Sequence, residues 1–277
     1  VRNPGHRLIT SAWLAVLTAG LAVAMASADG ASPQAGRPAW ADRVDRLFAS
    51  YDRPDSPGCA LGVFTDGRMV YGRGYGAADL EHDVPITPDT VFYAGSVSKQ
   101  FTAMAAALAI NEGLFALDDD VTKLVPELPA YDAPIRVRHL VHHTSGLRDI
   151  NTLVAVAGRR DDMAFDNDAV LRVLARQRAL NFTPGAEHLY SNSGYAVLAL
   201  MVERASKMSF AAYADARIFK PLGMTVTHFH TDLGRLVRNR AFAYDLPIAG
   251  GPRLNTPQNE RAGAGGLYTS IRELLLW

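Results

Sequence analysis

The sequence contains a single cysteine, Cys59, among 277 residues, so no disulfide can form within the chain. Cys59 lies in an apolar, strand-like run with no base nearby, which predicts a packing residue rather than a nucleophile. The chain also lacks net charge, because 28 lysine and arginine residues balance 28 aspartate and glutamate residues. This balance argues against a nucleic-acid partner or an anionic membrane surface. With 48% hydrophobic residues, the composition predicts a globular protein stabilised by burial.

Only one long apolar run is present, and it lies at the N-terminus. A basic end precedes apolar residues 8–25, which are followed by Ala26-Ser27-Ala28. These are the parts of a secretory signal peptide, so we predict that residues 1–28 are removed after Ala28 and that the protein is periplasmic or secreted. The alternative is a membrane anchor that stays attached. Residues 29–39 are small and rich in proline and glycine, which predicts a linker before a domain over 40–277.

The domain mixes strand and helix patterns. Apolar runs over 59–65 and 69–75 flank Asp66-Gly67, which predicts an antiparallel hairpin, because glycine accepts the positive φ of a tight turn. From Ser96, apolar residues recur at helical spacing up to a glycine cap at Gly113. The acidic run 118–120 lacks the ligand spacing of a calcium loop and predicts a helix cap. Helical patterns also cover 40–50, 135–143, 167–178, 193–206, 209–219 and 271–277.

Ser96 and Lys99 form the only Ser-x-x-Lys in the chain, at the start of the predicted helix. Residues three apart on a helix share one face, so a hydroxyl and an amine would lie side by side. A serine becomes a nucleophile when a neighbouring base takes its proton, and a lysine held partly neutral by burial can be that base. This spacing therefore indicates acyl-transfer chemistry.

A second motif, Tyr190-Ser191-Asn192, is the only Tyr-x-Asn in the chain. It lies in a turn just before the helix predicted from residue 193. A tyrosine hydroxyl beside an ammonium can move a proton, and an asparagine amide can hold a substrate carbonyl or the lysine. Taken alone, either motif favours a structural interpretation, a packed tyrosine and a helix-capping polar cluster, over a catalytic one.

Together the two motifs resemble the penicillin-recognising serine hydrolases, in the branch of class C β-lactamases, D-alanyl-D-alanine carboxypeptidases and esterases. Three further stretches are similar to the same family: His-Thr-Ser-Gly-Leu at 143–147, Phe-x-Pro-Leu-Gly-Met at 219–224, and the small-residue turn at 262–270. The likeness runs from about Trp40 onward, and the five matches occur in the family's order.

The resemblance implies a role for each motif residue. Ser96 would attack an acyl carbonyl and form an acyl-enzyme, with its backbone N–H as one oxyanion donor. Lys99 would assist deprotonation, and Tyr190 would act as a general base and help to activate water. Asn192 would bind the acyl side chain of the substrate and orient Lys99. The family needs no metal and no organic cofactor.

The resemblance also implies the fold, an α/β protein of the α+β type. A β-lactamase/transpeptidase-like antiparallel sheet would be flanked by helices, with a helical subdomain at about 115–255. The family's third motif, a Lys-Thr-Gly or His-x-Gly triplet on a strand beside the site, is absent, and the last helical pattern runs to Trp277 without an end signal. The C-terminal strands are therefore expected to be missing. A fragment of a longer enzyme is favoured over a truncated inactive product, because the upstream motifs are intact.

These observations predict an exported serine acyl hydrolase acting on β-lactams, D-alanyl peptides of peptidoglycan, or small esters. The alternative is a non-catalytic or inactive truncated binding protein of the same fold, which would not become acylated by an activated ester. A histidine cluster, His139, His142 and His143, could suggest a metal site. Because adjacent helical side chains point about 100° apart, we expect a structural role at a helix end instead.

Overall fold

The computed structural model describes residues 37–158, 166–246, 250–255 and 261–277. The predicted signal peptide and most of the predicted linker lie outside these ranges. Across the described part of the chain, none of the helices combines the length and the apolar character that a membrane span requires.

The hairpin is confirmed. Strands β1 (Cys59–Thr65) and β2 (Arg68–Tyr75) pair antiparallel, and Asp66 and Gly67 in the turn have φ values of 50° and 70°. Two consecutive positive φ values define the turn whose twist matches that of the flanking strands, which explains the Asp-Gly pair. Cys59 is half-buried at the start of β1, and burial raises the pKa of its thiol.

In the part of the chain that the structure describes, the remaining strands are short and form three further small antiparallel sheets. Strand β9 is the middle strand of a three-stranded sheet and pairs with β5 on one side and β6 on the other. Strands of two or three residues carry no readable alternation of polar and apolar residues, so the sequence did not predict them. They are β3 (Ala77–Asp79), β4 (Val84–Pro85), β5 (Phe92–Tyr93), β6 (His228–Phe229), β7 (Tyr244–Asp245), β8 (Arg253–Leu254) and β9 (Leu267–Thr269).

The helices match the predicted patterns, with one addition. They are α1 (Ala41–Phe48), α2 (Ser98–Asn111), α3 (Val137–Val141), α4 (Ile150–Val156), α5 (Asn167–Leu174), α6 (Asn192–Ser206), α7 (Phe210–Ala214), which continues as a π-helical turn (Asp215–Phe219), and α8 (Ile271–Leu274). The sequence did not predict α4. Helix α6 is buried on all sides from Ser193 to Val202, as its continuous apolar run requires, and it packs against α2 and α3.

Helix α1 is held on the hairpin by Asp45. Its carboxylate accepts hydrogen bonds from the Tyr71 and Tyr75 hydroxyls, and Arg73 forms an ion pair with it at 2.7 Å. The hydrogen bond from Tyr71 is the largest cause that keeps the pKa of Asp45 well below its usual value. The Phe48 ring stacks on Tyr75 with ring centres 4.8 Å apart. The amphipathic pattern of residues 40–50 thus becomes a helix that covers one face of β2.

A buried carboxylate, Glu273 in α8, joins the last helix to the segment before β6. It accepts hydrogen bonds from the backbone N–H groups of Thr225, Val226 and Thr227 and from both threonine hydroxyls, at 2.6–3.0 Å. Burial alone would raise the pKa of Glu273, but these five donors outweigh burial and hold the pKa below its ordinary value. The folded state therefore binds the proton less readily than the unfolded chain.

Replacing Glu273 with glutamine is expected to lower the free energy of unfolding by about 2–3 kcal/mol, because an amide nitrogen would face backbone donors. The charged form stabilises the fold above the ordinary carboxylate pKa, and this contribution is lost as the pH falls through the depressed folded value. Urea denaturation at neutral and acidic pH measures both effects. Glu127→Gln, at an exposed ion pair with Arg204, is the matched control and should cost less than about 1 kcal/mol. Equal losses in the two variants would contradict this role of Glu273.

Candidate active site

Ser96 and Lys99 lie where the helical spacing predicts. A 3₁₀ turn (Gly95–Val97) leads directly into α2, so Ser96 comes just before the α-helix and Lys99 lies in its first turn. Lys99 Nζ donates to Ser96 Oγ at 3.1 Å. The hydroxyl and the amine are therefore in direct contact.

The Tyr-x-Asn segment lies beside Ser96 and Lys99, although it is distant from them in the sequence. Tyr190 Oη lies 2.7 Å from Ser96 Oγ, although 94 residues separate them in the chain. Asn192 begins α6, and its Oδ1 accepts a hydrogen bond from Lys99 Nζ at 2.9 Å. The structure thus brings together all four residues that the two motifs contain.

The Lys99 amine is held in a nearly closed pocket. Only 7% of the residue is exposed. Its Nζ donates to Ser96 Oγ, to Asn192 Oδ1 and, at 2.6 Å, to the backbone oxygen of Ala264. Burial lowers the pKa of Lys99 and outweighs the opposing effects of Tyr190 and the Asp149 carboxylate. Lys99 therefore releases its proton more readily than a lysine in water, which increases the share of the neutral amine that can accept a proton from Ser96.

The small residues at 262–266 supply one wall of the site, which the motifs alone did not show. Gly263 has φ +110°, and a Cβ there would lie 2.6 Å from the Tyr195 backbone oxygen, so only glycine fits against α6. Thr102 Oγ1 donates to the Gly263 backbone oxygen at 2.9 Å, next to the bond from Lys99 to Ala264. This loop is therefore fastened to the helix that carries Ser96 and Lys99.

Beside Ser96, the loop borders a small pocket of about 100 Å³. It is lined by Tyr93, Gly95, Ser96, Asn151, Asn192, Arg261, Ala264 and Gly265. Arg261 donates to Asn151 Oδ1 at 2.8 Å. Because Ser96 lines this pocket, a group bound in it would lie beside the Ser96 hydroxyl and against a largely polar wall.

Sequence reasoning missed Asp149, whose carboxylate accepts both the backbone N–H and the side-chain N–H of Asn192, at 2.7 and 2.9 Å. Its only sequence signal is an aspartate before Ile150-Asn151-Thr152, the pattern of a helix N-cap. That signal predicts the start of α4 but not the contact with Asn192, which depends on the tertiary fold.

The histidine cluster has structural contacts. His139 Nδ1 accepts from the Arg136 backbone N–H at the start of α3, at 3.1 Å. His143 Nδ1 accepts from the Ser191 backbone N–H at 3.2 Å, and its ring lies 4.6 Å from that of Tyr190. Among the described residues, the side chains near enough to share a metal ion are those of Asp79, Glu81 and His82, on a turn away from this cluster.

His143→Phe should keep the ring contact with Tyr190 but remove the acceptor for Ser191. We expect the unpaired Ser191 N–H and the strain of phenylalanine at φ 56° to lower the free energy of unfolding by about 1–2 kcal/mol. A shift of Ser191 would move its neighbour Tyr190 and lower kcat/KM by about 10-fold. Ester hydrolysis and urea denaturation measure the two effects. His142→Phe, at an exposed neighbour, is the matched control. If His143→Phe matched this control in both measurements, the structural role of His143 would be wrong.

A family model described as Beta-lactamase matches residues 41–277, and the chain belongs to this family. The resemblance drawn from the motifs and the predicted fold class are both confirmed. The family relation supports a serine acyl hydrolase as the class of protein.

Two curated relatives show the range of the family. The chain is 29% identical over 222 residues to a D-aminopeptidase of Gluconobacter oxydans (strain 621H), covering 80% of this chain and 41% of that protein. It is 32% identical over 164 residues to penicillin-binding protein 4* of Bacillus subtilis (strain 168), covering 59% of this chain and 36% of that protein. The chain thus spans less than half the length of these two relatives.

Two solved structures have the same fold. An octameric penicillin-binding protein homologue from Pyrococcus abyssi superposes with a TM-score of 0.75 and 26% identity, covering 85% of this chain and 55% of that one. A class C β-lactamase from Rhodobacter sphaeroides gives a TM-score of 0.65 and 28% identity, covering 85% of this chain and 63% of that one.

Proposed function

We propose that this protein is an exported serine acyl hydrolase that forms an acyl-enzyme on Ser96. The observation that carries the proposal is the position of Ser96 Oγ, within hydrogen-bond distance of both Tyr190 Oη at 2.7 Å and Lys99 Nζ at 3.1 Å. A serine with two such neighbours has both a base and a proton carrier in place. Family membership supports this chemistry.

The contacts of Lys99 suggest how Ser96 is activated. The oxygens of Ala264 and Asn192 accept two of its N–H bonds, and the third position faces the Ser96 hydroxyl. In the neutral amine, two protons would occupy the carbonyl contacts and the lone pair would point at the hydroxyl. The lowered pKa favours this form. The Ser96 proton then passes to Lys99 as Oγ bonds to the acyl carbon.

Tyr190 completes the proton path. Its hydroxyl contacts Ser96 Oγ, and its ring centre lies 4.8 Å from Lys99 Nζ. When the carbon–leaving-group bond breaks, the departing amine or alcohol takes a proton through Tyr190 from Lys99. In deacylation the same groups take a proton from water as its oxygen bonds to the acyl carbon, and they return this proton to Ser96 Oγ as the bond between Oγ and the acyl carbon breaks. The Ser96 backbone N–H is assigned to the developing oxyanion, as the family resemblance implies.

The proposed substrates are β-lactams, D-alanyl peptides and small esters, each of which presents an acyl carbonyl to Ser96. Asn192 Nδ2 carries two protons, of which one is directed to Asp149. We assign the other to the acyl side chain of the substrate. The names of the relatives, a D-aminopeptidase and a penicillin-binding protein, support a peptide-like acyl donor. The proposed chemistry uses these side chains alone, without a metal, an organic cofactor or a nucleic acid.

A substrate panel tests the proposal. The purified chain is incubated with a p-nitrophenyl ester, a D-alanyl p-nitroanilide and a chromogenic cephalosporin, and the release of each product is followed. Hydrolysis of at least one of them supports the proposal and identifies the class of acyl donor. Binding of a penicillin without acylation or turnover would instead favour the alternative, a non-catalytic binding protein of the same fold.

A further inference from the structure

Asp149 contacts Asn192, next to Lys99 and Ser96, but does not line the pocket beside Ser96. Its two carboxylate oxygens have different partners. Oδ1 accepts the backbone N–H groups of Asn151 and Thr152 and so caps helix α4, at 3.0 and 3.2 Å. Oδ2 accepts the backbone and side-chain N–H groups of Asn192 at 2.7 and 2.9 Å. One side chain therefore connects the start of α4 to the start of α6.

The second set of contacts determines which way the Asn192 amide faces. An ionised carboxylate only accepts hydrogen bonds, so the NH₂ group of Asn192 must face Asp149. The amide oxygen then points the other way, toward Lys99 Nζ at 2.9 Å and Tyr190 Oη at 3.4 Å. A reversed amide would oppose its oxygen to the carboxylate and its NH₂ to the lysine amine. The first contact would be repulsive, and the second would oppose two donors when the amine is protonated or occupy its lone pair when it is neutral.

We propose that Asp149 is a positioning residue for acyl transfer, which holds the Asn192 amide with its oxygen toward Lys99. This inference rests on the proposed function. Asp149 acts through Asn192 and touches no reacting atom. In this arrangement, Lys99 donates one N–H to Asn192 and another to Ala264, so the third position of its amine is directed at Ser96 Oγ. Without the carboxylate, the amide would be free to turn and present a donor to the amine.

The same carboxylate also contributes charge. Its negative charge favours the protonated form of Lys99 and partly opposes the effect of burial. Removing it should lower the pKa of Lys99 further. The titratable or charged groups around the amine are Tyr190 and Tyr195 from the α6 segment, His143 after α3, Arg261 before β9, and Asp149 itself.

Asp149→Asn separates positioning from capping, because asparagine is as good an N-cap as aspartate. Its amide can still accept from Asn151 and Thr152, but its NH₂ would face Asn192 and turn that amide around. We expect kcat/KM for an ester to fall by about 10- to 100-fold, with Tm lowered by about 3–8 °C because the Asn192 backbone N–H also loses its acceptor. The rising limb of the pH–rate profile should move to lower pH, which a purely structural defect would not cause.

Asp166→Asn is the matched control. Asp166 caps α5 by accepting from the Ala169 N–H at 2.7 Å, away from the cluster. This variant should keep the wild-type rate and the wild-type pH profile.

A second measurement does not depend on turnover. The chain has only four lysines, so the titration of ¹³C-labelled Lys99 can be followed by NMR and assigned with Lys99→Met. Asp149→Asn should lower the pH at which Lys99 titrates, and Asp166→Asn should not.

A double-mutant cycle tests whether Asp149 acts through Asn192. In an Asn192→Ala background, Asp149→Asn should reduce the rate by much less than it does in the wild type, because the amide that it positions is gone. Fold-losses that simply multiply would overturn the positioning role.

The outcomes separate this inference from the proposed function. An active wild type with an unchanged rate in Asp149→Asn overturns the inference alone. If no substrate acylates the wild type, the proposed function fails. Even then, the NMR titration tests the effect of Asp149 on Lys99. If Lys99 titrates at the same pH in Asp149→Asn and in the wild type, the proposed effect of Asp149 is overturned.

Discussion

Ser96→Ala is expected to lower the hydrolysis of any substrate by about 10⁴-fold or more, because Ser96 Oγ is the proposed site of the acyl-enzyme. The variant keeps the Tyr190 ring beside the Lys99 amine but has no side-chain oxygen at position 96 that could be acylated. The loss is measured from initial rates of p-nitrophenol release from a p-nitrophenyl ester, with denatured protein as the blank. Since the substitution removes one exposed hydroxyl, the fold should be unaffected.

Ser50→Ala is the matched control, since Ser50 is an exposed serine at the end of α1. It should retain the wild-type rate. If Ser96→Ala kept more than a few per cent of the wild-type rate on the same ester, another residue would be the nucleophile. The assignment of Ser96 would then be wrong even though the fold and the family would stand.

The second large effect is expected from Lys99→Met, which should reduce kcat/KM by about 10³-fold, within the usual range for a lost general base. Methionine is close to lysine in length and fills the same space, so packing is largely kept. The oxygens of Ala264 and Asn192 lose their donor, and the Ser96 hydroxyl loses its proton acceptor. Acylation, rather than deacylation, should be slowed most, which a single-turnover measurement with an activated ester resolves.

The pH dependence of this variant follows from the lowered pKa of Lys99. In the wild type, the rate should rise as the pH increases through the folded pKa, because the amine loses its proton. Lys99→Met should lack this limb. The folded pKa also lies below the ordinary value of 10.5, so the unfolded chain binds more protons between the two values. The free energy of unfolding contributed by Lys99 therefore rises with pH in that window.

Lys220→Met is the matched control, because the Lys220 side chain is 72% exposed and pairs with Asp215 at the surface. It should leave the rate and its pH profile unchanged. A rising limb that persists in Lys99→Met would show that another group, with Tyr190 as the first candidate, is the base.

Local sequence patterns predicted the parts of the site that depend on a single helix. The contact of Ser96 with Lys99 follows from a spacing of three at the start of α2, and the Asp66-Gly67 hairpin follows from the φ values that its turn requires. The roles of Ser96, Lys99, Tyr190 and Asn192 remain predictions. Their proximity was implied by the family resemblance, since no local rule links Ser96 to a tyrosine 94 residues away.

Other parts of the site could not be predicted, because they depend on how distant segments pack. Asp149 carries the signal of a helix cap, but its hydrogen bonds to Asn192 exist only once α4 and α6 lie side by side. The same holds for Ala264, whose backbone oxygen accepts from Lys99. Because every residue has a backbone oxygen, the side chains of the sequence do not show which one accepts from Lys99. The small residues at 262–266 indicate that this loop packs closely against another segment, but they do not show that the segment is α6.

The fold was predicted well where elements are long. The long apolar run of α6 and the two apolar runs on either side of Asp66-Gly67 are recognisable in the sequence. Strands β3 to β9 have two or three residues each, too few for a period, and among the described residues they pair into small antiparallel sheets that the sequence did not show. Helix α4 is also short and mostly exposed, so its apolar pattern is weak.

The central claim, an acyl-enzyme on Ser96, is tested most directly by trapping it. The protein is mixed with a slowly hydrolysed activated ester, quenched in acid, digested, and analysed by mass spectrometry. We predict one added acyl group per chain, on the peptide that contains Ser96, with none in Ser96→Ala. An adduct on a different residue, or product release with no adduct at any time point, would contradict covalent catalysis by Ser96.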